Sequence, residues 1–350
     1  MEILDRIRIR QAKRAFSTRR VPPDVMKTLI TGPRAPRAGE LVLARITALR
    51  SHKRIELPTG RRAALFDGDE IVLAYGNRYA PDQYEAYVPE DLGACHMVAG
   101  GGVAARAHSW HSRLSGPTEI EPLGLIGNSD GMPINLMDYA LPAQTGPLPA
   151  SVFAVFGTSM NAGKTTTAAA LVKSFSLAGC RVGAAKLTGT GSGGDLWLMH
   201  DTGAAEALDF TDAGYATTFG ASHDDLLAVT QTLLSALGAR GCGVTVLEIA
   251  DGLYQEETAA LAACPSFQSI LSGTFFAAGD AIGAVAGAEH LVKLGHNVLG
   301  ISGALTRSPL ARREADAAAC APIYTLADMV APTSASLWLA SRRNQLASGA

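Results

Sequence analysis

The stretch Gly157-Thr-Ser-Met-Asn-Ala-Gly-Lys164-Thr165-Thr166 constrains this chain more than any other. It follows the apolar run Ser151-Val-Phe-Ala-Val-Phe156 and leads into an Ala-rich segment from Thr166 to Ala178, an order that reads as strand, glycine loop and helix. A loop of this kind wraps backbone N–H groups around a polyphosphate, and the helix N-terminus adds partial positive charge. On that reading Gly157, Thr158, Ser159, Asn161, Ala162, Gly163, Lys164, Thr165 and Thr166 bind a nucleotide. Lys164 reaches the outer phosphates and the Thr165 hydroxyl ligates Mg²⁺. The strict pattern G-x-x-x-x-G-K-[ST] wants its first glycine at Thr158, one residue after Gly157, so the loop is a variant. A plain glycine turn with an exposed lysine is the weaker account, because strand and helix flank the loop as the motif requires.

The variant, with Gly-Thr, small and polar residues, then Gly-Lys-Thr, resembles the phosphate loop of dethiobiotin synthetase. It also resembles that of the cobyrinic-acid-synthase-like and molybdopterin-guanine-dinucleotide-biosynthesis-B-like P-loop proteins, the SIMIBI type. The resemblance covers the C-terminal half only. It implies that a lysine after the second strand, matched here by Lys186, neutralises phosphoryl charge, and that an aspartate in the region of Asp195 acts on Mg²⁺. Val244-Thr-Val-Leu-Glu-Ile-Ala-Asp-Gly252 resembles the Glu-Gly-Ala-Gly-Gly segment at Glu248 and Gly252, and departs from it at Asp251, where the family has glycine. That departure implies a different substrate side. The nucleotide base is expected near Gly303-Ala-Leu-Thr-Arg-Ser-Pro309, with Arg307 a phosphate or base contact or else a helix-entry residue.

A length of 350 residues sets a prior of about two domains, each able to bury a core. Apolar residues are 47% and charged ones 18%, as in globular proteins, and a net charge of −2 argues against bulk nucleic-acid or anionic-membrane binding. No apolar run approaches the ~20 residues that span a bilayer, and residues 1–20 carry charges throughout, so a cytoplasmic protein is expected. Five widely spaced cysteines without a C-x-x-C pair read as reduced thiols.

Residues 1–38 are basic and read as an arm and linker. From 39 to 140, short β-like runs (41–46, 54–57, 63–66, 70–75, 95–98 and 119–126) between turn residues predict a β-rich barrel or sandwich. Within it, Gly76-Asn-Arg-Tyr-Ala-Pro81 suits an anionic or carboxylate ligand and equally a polar surface loop. Gly100-Gly-Gly102 is either a close approach to a ligand or a flexible hairpin end. His96, His108 and His111 lack a third ligand at known spacing, so a metal is disfavoured. A Pro-rich linker at 141–150 precedes an α/β domain at 151–335, and 336–350 reads as a tail. Strands at 151–156, 181–187, 206–211, 244–250, 268–272 and 297–302 alternate with helices at 164–178, 194–203, 223–238, 256–263, 279–295 and 309–319. That is a mostly parallel sheet flanked by helices, whose ligands gather at the carboxyl ends of its strands.

Several of these strand ends carry polar residues. Lys186, Glu248 and Asp251 join Lys164 as the expected catalytic set, and Thr165, Asp195 and Glu248 as the expected Mg²⁺ ligands. Asp195 also reads as a simple N-cap. Asp209 and Asp212 either face a substrate or cap a loop, and Ser222-His-Asp-Asp225 fits a capping box. The absence of an Asn-Lys-x-Asp motif favours ATP over GTP. The leading expectation is a Mg-ATP-dependent small-molecule kinase or carboxylate-activating ligase. Its substrate is expected to be small and anionic or carboxylate-bearing, with no nucleic acid, no membrane, and a homo-oligomeric state. The alternative is a P-loop NTPase switch or metallochaperone-like protein acting on a protein or cofactor partner; an ATP-binding regulator without turnover comes third.

Overall fold

The computed structural model describes residues 2–142 and 146–340. They divide into two compact units. One holds the residues up to Leu141 together with Gly189–Gly194 and Phe210–Gly220, and the other holds the rest. Part of the expected linker (143–145) and of the expected tail (341–350) lies outside the described residues. No helix among the described residues is long and apolar enough to cross a membrane.

The first unit contains α1 (Arg6–Gln11) and the strands β1 (Glu2–Ile3), β2 (Lys13–Arg14), β3 (Thr28–Ile30), β4 (Leu41–Ala48), β5 (Arg54–Glu56), β6 (Arg62–Ala64), β7 (Glu70–Tyr75), β8 (Arg78–Tyr79), β9 (Tyr84–Tyr87), β10 (Cys95–Ala99), β11 (Val103–Trp110) and β12 (Thr118–Gly127). Five of them pair in a ring: β12 with β4, β4 with β7, β7 with β11, β11 with β10, and β10 with β12. Closure removes the free edges of these strands, and it makes the unit a barrel. Val42, Ala44, Ile46, Ile71, Leu73 and Tyr75 fill its interior. The intervening Leu41, Leu43, Val72 and Ala74 point outward and are buried as well, against Leu4, Ile9, Val21, Met26 and Leu29. Residues 2–38 are therefore not an arm. They cover an apolar outer face of the barrel, and several of their basic side chains are tied down, Arg8 to Glu70 at 2.8 Å and Arg19 to Asp212 at 2.6 Å. Burial on both faces explains why residues 41–44 of β4 and 71–75 of β7 are continuous apolar runs rather than alternating.

The second unit carries β13 (Ser151–Gly157), β14 (Val182–Lys186), β15 (Glu206–Asp209), β16 (Val244–Glu248), β17 (Gly273–Ala277) and β18 (Val298–Ser302). They form a parallel sheet in the order β15-β14-β16-β13-β17-β18. Its helices are α2 (Lys164–Leu177), α3 (Gly194–Asp201), α4 (His223–Ala239), α5 (Glu256–Ala263), α6 (Pro265–Ser269), α7 (Ala281–Lys293), α8 (Pro309–Asp316) and α9 (Leu326–Met329). The strand expected at 268–272 is corrected. Pro265 opens a short helix there, and the strand is Gly273-Thr-Phe-Phe-Ala277, whose phenylalanines are fully buried. The expected tail begins inside the core, where the Trp338 ring meets Phe175, Phe275 and Tyr324.

Candidate functional site

β13 is the strand around which the site is built. Its residues are all buried because it lies inside the sheet, with β16 on one side and β17 on the other. Sheet register then aligns the strand ends: Val155 is level with Glu248, and Glu248 with Lys186. The phosphate loop leaves the carboxyl end of β13, where a doubly wound sheet places ligands.

The loop is shaped by glycine at two points. A Cβ at Gly157 would lie 2.6 Å from Lys164 Cγ and 2.9 Å from the Ala277 carbonyl oxygen. Gly163 takes φ +98°, and a Cβ there would lie 2.9 Å from Gly303 Cα. Gly303, itself at φ +105°, backs the loop, with the Ala304 amide donating to the Ala162 carbonyl at 2.8 Å. α2 begins without a side-chain cap and without an acidic residue in its first turn. By contrast α4, α5, α7, α8 and α9 are capped by Ser222, Gln255, Asp280, Ser308 and Thr325. The α2 N-terminus thus keeps amides and partial charge available for an anion.

Around this N-terminus the expected polar residues converge. Lys164 is 7% exposed and its Nζ donates to the Ser159 carbonyl at 2.7 Å. Burial lowers its pKa against the opposing pull of Glu248 and Asp251. Lys186 donates to Asp195. Burial works against the Lys186 ammonium, but the charges of Asp195 and Glu248 outweigh it and raise its pKa. Asp195 pays the same desolvation penalty, yet the charge and hydrogen bond of Lys186 hold its carboxyl below the usual value. Glu248 goes the other way: burial and the Asp195 charge push its pKa up. The Thr165 hydroxyl donates to Glu248 Oε1 at 2.8 Å, whereas Glu248 Oε2 is buried without a hydrogen-bond partner.

That orphaned oxygen tests the fit for Mg²⁺. A buried carboxylate oxygen with nothing to bind is costly, and a cation beside Thr165 would satisfy it. Mg²⁺ commonly takes one or two protein oxygens, with phosphates and waters completing its shell, so Thr165 and Glu248 suffice as protein ligands. Among the described residues no three His, Cys, Asp or Glu side chains gather as a metal-holding cluster. His96 and His111 instead accept the backbone amides of Ala107 and Arg113 through Nδ1, at 3.1 and 3.2 Å.

Asp251 sits at φ +62°, in the left-handed region. Glycine adopts that conformation freely, so a glycine would fit this position without strain. Asp251→Gly is therefore expected to change the unfolding free energy by no more than about 1 kcal/mol, while Asp251→Val costs about 2 kcal/mol, measured by urea denaturation. The turn before it is held by two residues that sequence reasoning passed over. Thr188 Oγ1 accepts the Ala250 amide at 2.8 Å, and Thr258 Oγ1 donates to the Ala250 carbonyl at 2.9 Å. Their only sequence signal is a hydroxyl near a strand end, which is too common to single out. Asp212 and Arg307 are not part of the cluster: Asp212 pairs with Arg19 and Arg20 in the first unit, and Arg307 is exposed.

The second unit is a P-loop domain. No family model matches the sequence, and no curated protein matches it. Similar solved structures include the signal recognition particle 54 kDa protein of Aeropyrum pernix K1 in complex with GDP, 19% identical, with a TM-score of 0.39 over 61% of this chain and 53% of that one. The signal recognition particle receptor FtsY of Elizabethkingia anophelis is 16% identical, with a TM-score of 0.32 over 48% and 53%. FtsY of Mycoplasma mycoides is 14% identical, with a TM-score of 0.36 over 54% and 68%. The chain spans about half the length of the first two. The expectation about partners is corrected by what these proteins are. The similar proteins are named as a particle component and as receptors of that particle, not as enzymes of a small substrate. The small carboxylate-bearing substrate, and with it the exclusion of nucleic acid, is not carried further.

Proposed function

We propose that the P-loop domain binds a Mg²⁺–nucleoside triphosphate and hydrolyses it as a switch of the SIMIBI type, its nucleotide state being read by a macromolecular partner. The observation that carries this reading is the uncapped N-terminus of α2 beside the Thr165–Glu248 bond and the unpartnered Glu248 Oε2. Residues 157–166 hold the phosphates, and Lys164 exchanges its bond to the Ser159 carbonyl for one to an outer phosphate oxygen. Lys186, fixed by Asp195, supplies a second positive charge. When bound, Mg²⁺ neutralises charge on the phosphates. No observation favours a kinase or ligase over this reading. Thr165 and Glu248 are ligand and acid in it, Asp195 orients Lys186, and Asp251 shapes the turn at the end of β16. Both GTP and ATP enter the test, since one similar structure holds GDP whereas this sequence lacks the Asn-Lys-x-Asp motif.

The test is thermal unfolding with GTP or ATP, with and without Mg²⁺, followed by hydrolysis without any added small substrate. Stabilisation that requires Mg²⁺, with slow turnover, supports the switch; no stabilisation by either nucleotide rejects it. Glu248→Gln adds a sign. A carboxyl whose folded pKa is raised binds more protons folded than unfolded, so it lowers stability as pH climbs above the ordinary carboxylate range. Glu248→Gln is therefore expected to stabilise the metal-free protein at neutral pH and to blunt the Mg²⁺ response. Equal Mg²⁺ titrations for both proteins would remove Glu248 from the site.

A further inference from the structure

The first unit carries a second concavity that the nucleotide reading does not use. The hairpin β5–β6 buries Ile55 and Ala63 in the barrel core and turns Arg54, Glu56 and Arg62 to its opposite face. There His52, Lys53, Arg54, Arg62 and Arg78 line a cavity of about 480 Å³. Glu56 is the one carboxylate in the lining, and it is already engaged, accepting from the Gly193 amide at 2.9 Å and the Ser192 hydroxyl at 3.2 Å. Lys53, Arg54 and Arg62 enter no ion pair among the described residues. Elsewhere in the unit Arg8, Arg19, Arg50 and Arg106 all have carboxylate partners. Arg78 is aimed by its bond to Gln83 Oε1 at 3.0 Å. This concentration of cations calls for carboxylate or phosphate oxygens.

One further feature narrows the ligand. Antiparallel pairing alternates, and the bonds Leu65 N–H to Lys53 O and Leu57 N–H to Arg61 O fix the phase. Arg62 and Ala64 therefore point their backbone N–H and C=O groups away from β5. On β5 the matching outward amide, that of Glu56, is taken by the Gly100 carbonyl at 2.8 Å. On β6 the outward groups have no backbone partner among the described residues, and β6 is an open strand edge. The site thus offers cations for oxyanions and a strand edge for a backbone. A phosphodiester chain supplies only oxyanions for the first of these; an extended, carboxylate-bearing peptide matches both.

We propose that this cleft and the open edge of β6 take an extended, carboxylate-bearing peptide segment of a partner protein. The site lies wholly in the first unit and stands independently of the nucleotide reading.

The experiment uses the full chain and fluorescence anisotropy at low salt, with a labelled peptide alternating glutamate and threonine. The comparison probes are its glutamine version, a version N-methylated at alternate backbone amides, and an oligouridylate of equal charge. Saturable binding of the glutamate peptide is expected, about tenfold or more weaker for each altered peptide and for the oligouridylate. The variant combining Arg54→Glu with Arg62→Glu alters exposed side chains, so its thermal unfolding should be unchanged while its peptide affinity falls by about tenfold or more. No binding of the glutamate peptide, undiminished binding by this variant, indifference to N-methylation, or tighter binding of the oligouridylate would each overturn the assignment.

Discussion

Lys164→Ala is expected to abolish stabilisation by nucleotide while leaving the fold intact. Lys164 opens α2, where alanine is the best helix former, and the replaced side chain makes a single hydrogen bond, to the Ser159 carbonyl. The loss of stability should therefore stay near 1 kcal/mol. The cost to binding is far larger. A mostly buried ammonium facing a polyphosphate makes charge-assisted bonds worth about 1.5–3 kcal/mol each, so losing two weakens affinity by about two to four orders of magnitude. Calorimetric titration of GTP and ATP with Mg²⁺ measures this directly. Nucleotide affinity within a factor of a few of the parent's would show that residues 157–165 do not form the phosphate site.

Lys186→Met should be the most destabilising single change at the site. It removes the stronger of the two cations acting on Asp195 and Glu248 and leaves only the weaker pull of Lys164. Stranding buried carboxylates costs about 3–5 kcal/mol, and the 17% and 29% exposure of the Lys186 and Asp195 side chains moves the expectation to the lower end, about 3 kcal/mol. The pH dependence separates this cause from lost packing. In the parent, the depressed Asp195 pKa contributes stability that is present above the ordinary carboxylate range and lost as pH falls through the folded value. Without Lys186, only the Thr165 hydrogen bond and the Lys164 charge oppose burial, so the Asp195 pKa rises relative to the parent and the variant gains stability relative to the parent on acidification. Urea unfolding from about pH 8 to about pH 4 should show the gap closing, and adding Asp195→Asn should recover part of the loss at neutral pH. A gap independent of pH would mean that Lys186 acts only through packing.

Much of the second unit was legible because its signals are local. Ser151–Phe156 is a continuous apolar run, as a strand buried on both faces must be, and the loop after it combines glycines with Lys164 in a spacing that few other structures require. β17 was misplaced by a few residues because Gln268-Ser-Ile-Leu-Ser272 and Gly273-Thr-Phe-Phe-Ala277 are both apolar enough for a strand, and only pairing with β13 decides between them. In the first unit β11 escaped notice. Val103-Ala-Ala-Arg-Ala-His-Ser-Trp110 has little β propensity, and ladders to β7, β9 and β10 hold it extended. The basic residues of 2–38 suggested solvent, but Leu4, Ile9 and Met26 in the same stretch cap a barrel face, and Arg8, Arg19 and Arg20 pair with Glu70 and Asp212.

The sequence alone determined that a phosphate loop follows a buried strand and that acids and a lysine end neighbouring strands, since these facts depend on residues adjacent in the chain. Only the tertiary structure decided that Lys186 pairs with Asp195, that Glu248 bonds Thr165 and keeps one oxygen unpartnered, and that Gly303 backs the loop. Those contacts join residues up to 142 positions apart, counting from Ala162 to Ala304, and sheet register brings them together. Charge–charge energies depend on distance and burial, neither of which is written in residue order.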